Sequence, residues 1–556
     1  MPSSLTAKES NAKRIVIKPQ SRIPQPVAQV ILEQLQLWGV QRIYGVVGDA
    51  VFGLMDALAK QNTISFIAVK HESVAAMMAS AEAKLTGKLG VCIAQMGPGL
   101  ANLINGLGDA FLDNAPVLAI TGQAPLNKIG TSYKQYINQQ QLVHAVSLYS
   151  QLVIHPDAVV QSLTQAMYTS VLHRTVSHLS ISSDVFGMTT SMQPSEQPHL
   201  SVPVPDPTDL HEALHLMQSA KKPMILTGNG ARSARESIQA LADTWGCGIA
   251  MSYGAIGVIP DTNPLMLNGL GEGGNPYLPA LFRKADVVLA IETSWWPEGM
   301  VPDTAKVVRI AQHQADLGTA PADIRFVGDA ASLVQQLVEG LRRHNPKPAW
   351  IHEVQQCKRA WSAQNENERC QPGSPLPPSS IIGFMEQYID EDAVIALDEG
   401  DCTLWFMRNY RGKRQCVLLS DRWRTMGFGL PAAMAAKLCS PQKQVVCVTG
   451  DGGLGMVLAD LLTAARYGLP LTVIVFNNGT LQMERDKMIM MGLAPEGTKL
   501  ANPDFTKVAE ACGWNAYRIE NDEQLKDALI QAQTSKRAVL LDVLTAPIPH
   551  PDFKSQ

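Results

Sequence analysis

Between Val445 and Thr480 the chain reads VVCVTGDGGLGM, then a helical stretch, then LTVIVFNNGT. Two β-branched runs, each ending in a polar glycine turn and separated by about one helix, pair as parallel neighbours joined by a right-handed crossover. This pattern commits the region to an α/β layer. It also puts both polar turns at the carboxyl edge of the sheet, where open parallel sheets bind ligands.

The glycines of Gly450-Asp451-Gly452-Gly453 let backbone N–H groups approach an anion closely, and the following helix offers its positive end. Asp451 and Asn478 lie 27 positions apart, about one crossover, so their side chains can reach one ion. A carboxylate, an amide oxygen and a backbone carbonyl are hard ligands suited to Mg²⁺ on a diphosphate. Either turn alone reads equally well as a plain turn; the pair at two strand ends does not.

The same rhythm recurs along the chain. Runs at 42–47, 64–69, 89–94 and 116–121 alternate with helical stretches at 27–37, 52–59 and 73–85, giving a doubly wound first domain over 23–190. A proline string (Pro194, Pro198, Pro203, Pro205, Pro207) marks a linker over 191–208. A central domain follows over 209–345, with strands at 223–226, 287–291 and 307–310. Pro372, Pro375, Pro377 and Pro378 mark a second linker over 346–380, and a third domain covers 381–548. The expected fold class is α/β: three doubly wound parallel-sheet domains, the first and third alike in size and rhythm. Residues 1–22 read as a solvated, disordered tail.

Apolar residues make up 46% and charged residues 17%, an ordinary globular balance. Fifty acidic against 46 basic side chains, with no long basic run, give no reason to expect nucleic acid or a membrane surface as partner. No run approaches the roughly 20 apolar residues of a membrane span. Nine scattered cysteines without a C-x-x-C pair argue against a disulfide framework or a zinc site and suit a reducing cytoplasm.

Three further stretches carry candidate chemistry. Glu72, in Lys70-His71-Glu72, stands between a strand and an Ala-rich helix, where a carboxylate also serves simply as a dipole partner. Arg424-Thr425-Met426-Gly427 precedes another Ala-rich helix, and its glycine and proline punctuation alone explains a helix entry. Met96-Gly97-Pro98-Gly99, with Asn102 beyond it, is a tight turn at a strand end.

Taken together, GDGG with NNGT, KHE, RTMG and MGPG resemble the thiamine-diphosphate-dependent pyruvate oxidase family from about residue 25 to 545, with acetohydroxyacid synthases near. The stretches WGVQRIYGVVGDA, PVLAITGQAP, IGTSYKQY and FTKVAEACGW carry the same likeness. The resemblance implies an aminopyrimidine-binding first domain, a central FAD-type domain and a diphosphate-binding third domain. It implies thiamine diphosphate and Mg²⁺, the metal held by Asp451, Asn478 and the Thr480 carbonyl. Glu72 would hydrogen-bond the aminopyrimidine and activate the cofactor. Met426 would wedge beneath it, with Gly97, Arg424 and Thr425 around the ring. Gly452, Gly453, Leu481, Gln482 and Met483 would complete the cofactor contacts, and Gln135 would take the substrate carboxylate.

Such relatives place the cofactor between subunits, so a homodimer or homotetramer is expected, with a small 2-oxo acid as substrate. Departures stand at Lys134, Arg424, Gln482, Met483 and Lys487. For FAD, the resemblance points to Asn268 and Gly269, to Thr293-Ser294-Trp295-Trp296, and to an acidic residue where this chain has Ala311. Losing that charge-assisted contact costs about 1.5–3 kcal/mol. The C-terminal TAPIPHPDFKSQ offers no amphipathic membrane segment, an expectation against quinone reduction at a membrane. Three readings follow: decarboxylation of a 2-oxo acid, pyruvate by expectation, with oxidative transfer of the two-carbon unit; an acetolactate-synthase-like carboligase; or a binding or regulatory homologue without turnover.

Overall fold

The computed structural model describes residues 23–198, 206–293, 295–317 and 320–553. The expected tail, Pro203 and Pro205 of the first linker, and Ser294 lie outside the described residues.

Three parallel sheets of six strands each form the molecule. The first runs, edge to edge, Ser65–Ala68, Arg42–Gly45, Gly90–Ala94, Val117–Gln123, Val176–Ser182, Tyr149–Val153. The third runs Cys416–Leu418, Val394–Leu397, Val445–Gly450, Thr472–Asn477, Val539–Leu544, Asn515–Ile519. With strands numbered within each sheet, both orders are 2-1-3-4-6-5. The two outer domains therefore share a topology although no repeat is visible between their sequences. The central sheet runs Met266–Gly269, Gly248–Met251, Pro223–Thr227, Val287–Ile291, Lys306–Ala311, Ile324–Val327, which is the 3-2-1-4-5-6 order of dinucleotide folds. Inner strands such as Gly90–Ala94, Val287–Ile291 and Thr472–Asn477 are buried on both faces, which is why they read as nearly continuous apolar runs rather than alternating ones.

The outer domains pack through two Ala-rich helices, Glu72–Thr86 and Gly429–Cys439, whose small side chains permit a close approach. Both belong to one continuous core that includes residues of the first and third sheets.

The linkers need correction. Helix Pro348–Arg369 occupies most of the expected second linker. Trp350, Val354, Cys357 and Trp361 recur at helical spacing on its buried side, while its other faces are polar enough to mask the pattern. Trp350 Nε1 donates to Pro223 O on the central sheet (2.9 Å), and Glu368 pairs with Arg408 of the third domain (2.8 Å). The segment is a buried brace. The third domain begins with helix Pro378–Tyr388 rather than at residue 381. In the first linker, Ser195 O accepts from Trp38 Nε1 and Gln34 Nε2, and Asp206 caps helix Pro207–Ser219. Pro207 therefore belongs to the central domain.

Candidate active site

In a 2-1-3-4-6-5 sheet the crevice opens between strands 1 and 3, where the strand order reverses. In the third domain these strands are Val394–Leu397 and Val445–Gly450. The second runs straight into helix Asp451–Val457, so Asp451 occupies the first helical position. Its carboxylate is 3% exposed and fully engaged. Oδ1 accepts from Gly452 N at 2.9 Å; Oδ2 accepts from Gly479 N and from Asn502 Nδ2, both at 2.7 Å. Burial pushes this carboxyl above its ordinary range, and these donors partly offset the shift.

The neighbouring strand, Thr472–Asn477, ends in a turn at Gly479, whose φ of +70° suits glycine. That turn brings Asn478 and Thr480 alongside Asp451, and all three line one cavity of about 270 Å³. Gly452, Gly453, Leu481, Gln482, Met483, Arg424 and Met426 line it too, so nearly every third-domain candidate converges there. Thr425 is the exception: its Oγ1 accepts from Asn105 Nδ2 (2.9 Å) of the first domain. A Cβ on Gly452 would lie 2.9 Å from Leu481 and 3.1 Å from Met426, and one on Gly453 2.7 Å from Asp398. A side chain at Gly453 would displace the hydrogen-bonded Asp398 carboxylate, whereas at Gly452 it would meet only the mobile ends of Leu481 and Met426.

The donor set of carboxylate, amide oxygen and carbonyl suits a hard cation bound to phosphate oxygens. Among the described residues no cluster of three His, Cys, Asp or Glu could hold a metal by itself. The fit is therefore to an ion that shares its shell with a ligand, as Mg²⁺ on a diphosphate does.

Several residues at this crevice were not singled out from the sequence. Asn502 positions Asp451. Asp398 accepts from Gly427 N (2.7 Å) and from Thr449 Oγ1 (2.8 Å), tying the Met426 loop to the sheet. Glu399 lines the cavity, 6% exposed, with Oε1 3.8 Å from Arg424 Nη1 and no hydrogen-bond partner. Burial pushes its carboxyl up to about 7. Burial and the nearby Asp486 and Asp451 push Asp401 up to about 8. The signal was present: DEGD directly follows the apolar run VIAL, another carboxylate turn at a strand end.

Arg424 adopts φ +53°, stacks 4.6 Å over the Tyr253 ring and pairs with Glu272 of the central domain at 2.9 Å. Its guanidinium thus braces two domains at the rim of the cavity.

The first-domain candidates form a separate group. Glu72 opens helix Glu72–Thr86 and accepts from Asn102 Nδ2 at 2.9 Å. Gly97, at φ +61°, packs so closely on Gln135 that a Cβ would meet its carbonyl oxygen at 2.4 Å. Gln135 Oε1 accepts from Gln95 Nε2 (2.9 Å), and Lys134 pairs with Asp49 at 3.1 Å. No residue of this domain lines the cavity around Asp451 in the same chain.

In the central domain, none of Asn268, Gly269 and Thr293 lines the cavity at the carboxyl edge of the sheet. Thr293 is 2% exposed, with its carbonyl accepting from Arg309 Nη2 at 2.9 Å. Trp295 lies against Gly271, and Arg309 sits 5.8 Å from the Trp296 ring centre; both indoles are half-buried. The cavity at the carboxyl edge of this sheet is about 210 Å³ and is lined by Gly230, Arg232, Glu292 and His313, among others, but by none of the three candidates. The residues present do not fit FAD.

Comparison with known proteins agrees with this arrangement. Residues 25–142 match the N-terminal TPP binding domain of thiamine pyrophosphate enzymes, 210–337 their central domain, and 398–543 their C-terminal TPP binding domain. YdaP of Bacillus subtilis (strain 168), provisionally described as a thiamine pyrophosphate-containing protein, is 33% identical over 93% of this chain and 91% of its own length. A pyruvate oxidase of Lactiplantibacillus plantarum is 30% identical over 94% and 89%, and an acetolactate synthase of Mycobacterium bovis 30% over 91% and 85%. With all three domains matched and the oxygen donors gathered at one strand edge, the chain belongs to the thiamine pyrophosphate enzyme family.

Proposed function

We propose that this chain decarboxylates a short 2-oxo acid, pyruvate or a near relative, with thiamine diphosphate and Mg²⁺. The observation that carries the reading is the meeting of Asp451, Asn478 and Thr480 in one cavity beside Gly452 and Met426. When bound, thiamine diphosphate supplies the carbon nucleophile for the keto carbon and the electron sink for loss of CO₂.

The protein's share is binding, orientation and proton control. Asp451, Asn478 Oδ1 and the Thr480 carbonyl would hold the metal. Gly452 and Gly453 admit phosphate oxygens close to backbone N–H groups, and Leu481, Gln482 and Met483 wall the diphosphate. Met426, seated against Gly452, would support the cofactor. Glu72, fixed by Asn102, hydrogen-bonds the aminopyrimidine, whose rim Gly97, Arg424 and Thr425 supply. Gln135, held by Gln95, receives the substrate carboxylate. Because the first domain contributes nothing to the Asp451 cavity of its own chain, Glu72, Gly97 and Gln135 come from a partner subunit. The active assembly is a homodimer or a pair of dimers.

Two fates for the two-carbon unit follow from the family: oxidative transfer, or ligation to a second 2-oxo acid or aldehyde. The central-domain geometry, with Ala311 at the strand end and Glu292 in the crevice, favours ligation. Among the described residues no helix is long and apolar enough to cross a membrane, and all nine cysteines are free thiols, which suits a proposed cytoplasmic site of action.

The test is CO₂ release from a panel of 2-oxo acids, with and without thiamine diphosphate and Mg²⁺, followed by product analysis. Release that needs both additions, with acetoin or acetolactate as product, is expected. No release from any 2-oxo acid would overturn the reading and favour a binding or regulatory protein.

A further inference from the structure

The central sheet has the strand order in which a nucleotide diphosphate enters between strands 1 and 4. Here those strands are Pro223–Thr227 and Val287–Ile291, and the first ends in the glycine turn Gly228-Asn229-Gly230. The crevice has the topology of an anion site, but a residue of the same chain occupies it. Glu292, directly after Ile291, lies against both glycines. A Cβ on Gly228 would fall 1.8 Å from the Glu292 carbonyl oxygen, and one on Gly230 2.9 Å from Glu292 Oε2 and 3.0 Å from its Cβ. The close approach that Gly228 allows is used by the backbone of Glu292, and that at Gly230 by its carboxylate.

The backbone gives a second, independent observation. Glu292 has φ +53°, a conformation that glycine enters freely and glutamate rarely. Its N–H is held by Ile310 O at 2.8 Å, which keeps the residue at the strand end. The cation nearest this turn in sequence is already committed. Arg232 donates to Asn229 Oδ1 (2.9 Å), Gln415 O (2.7 Å) and Ile256 O (3.1 Å). On the adjacent strand Ala311 ends the run, 2% exposed, and offers no acceptor for a ribose hydroxyl.

We propose that Glu292 is a built-in anion that closes the central domain's nucleotide crevice, so that this chain takes neither FAD nor an adenine nucleotide there. Its side chain stands against the glycine turn, where a diphosphate would lie.

The experiment uses the full-length protein. Cofactors released from purified wild type are identified by mass, and FAD and ADP are titrated calorimetrically into wild type, Glu292→Gly, Glu292→Asn and the double variant Glu292→Gly/Ala311→Asp. Wild type is expected to carry no flavin and to give no binding heat. Removing the carboxylate is expected to tighten ADP binding at least about tenfold, and adding the aspartate to tighten it further. Asparagine also accepts the left-handed backbone, so Glu292→Asn gives the same answer should the glycine variant fold poorly. Wild type purified with equimolar flavin, or variants that bind no better than wild type, would overturn the proposal. The CO₂ assay on wild type judges the decarboxylase reading separately, since it requires nothing of this crevice.

Discussion

Asn502 donates one amide N–H to Asp451 Oδ2 at 2.7 Å and reaches Asn477 Oδ1 at 3.1 Å. It therefore fixes the carboxylate relative to the strand that leads into Asn478, from a loop beyond the Gly479 turn. Residues that orient a metal ligand are typically worth about 10–100-fold in metal affinity. Asn502→Ala is accordingly expected to raise the Mg²⁺ concentration needed for half-maximal activity by about that factor, with most activity restored at saturating Mg²⁺. An unchanged Mg²⁺ titration would show that Asp451 holds its position without this contact.

Glu72 and Asp451 serve one proposed site, yet Glu72 does not line the cavity around Asp451 in its own chain. Glu72→Gln is expected to lower turnover by about 10²–10⁴-fold with little change in cofactor affinity, as loss of a proton-handling group does. Asp451→Asn is expected to fail instead in binding Mg²⁺ and diphosphate. Co-expressed, the two variants should recover about a quarter of wild-type activity, because each mixed dimer rebuilds one intact site of two. A co-expressed mixture as inactive as its parents would place both residues in the same subunit's site.

Trp350 is 2% exposed and bonds the central sheet through its indole N–H. If helix Pro348–Arg369 is a brace and not a tether, Trp350→Ala should destabilise the protein by about 3–5 kcal/mol, the usual cost of emptying a buried aromatic site. Denaturant unfolding measures this; a loss under about 0.5 kcal/mol is what a surface linker gives.

The contrast between that helix and the metal turn shows which parts of the molecule the sequence reveals. GDGG and NNGT are legible because a strand pattern, a glycine requirement and a ligand chemistry coincide within a few residues. Inner strands such as Val445–Gly450 are legible because burial on both faces favours an apolar run, a signature that the equally buried Val176–Ser182 lacks, with Ser177, His178, Ser180 and Ser182 in it. Tyr149–Val153 and Asn515–Ile519 lie at sheet edges, keep exposed polar residues, and lose that signature. Asn502 acts through tertiary convergence alone, which no local pattern encodes. Glu292 reads as an ordinary polar residue after a strand. Its meaning depends on a positive φ and on two glycines some sixty positions earlier, both invisible until the chain is folded.

Glu399 gives the site a pH dependence whose sign can be worked out. Burial raises its carboxyl to about 7; Arg424, from the loop before Met426, and Lys487, from helix Gln482–Met490, pull it down, while Asp398 beside it and Glu272 from the central domain push it up. Tyr253 lies beneath Arg424 and completes the surroundings. A carboxyl raised in the folded state keeps its proton where the unfolded chain has lost it. The resulting stability is fully present below about pH 4.5 and disappears as pH rises to about 7. Glutamine does not titrate, so the stability of Glu399→Gln relative to wild type should increase across that interval, by about 1–3 kcal/mol, and stay constant above it. In activity, an inflection near pH 7 should vanish in Glu399→Gln and move to higher pH in Arg424→Gln, since removing the cation lets the carboxyl hold its proton longer. Melting curves at pH 5, 6, 7 and 8 together with the rate profiles decide the matter: parallel behaviour of wild type and Glu399→Gln at every pH would mean that this carboxylate ionises normally and faces nothing in the cavity.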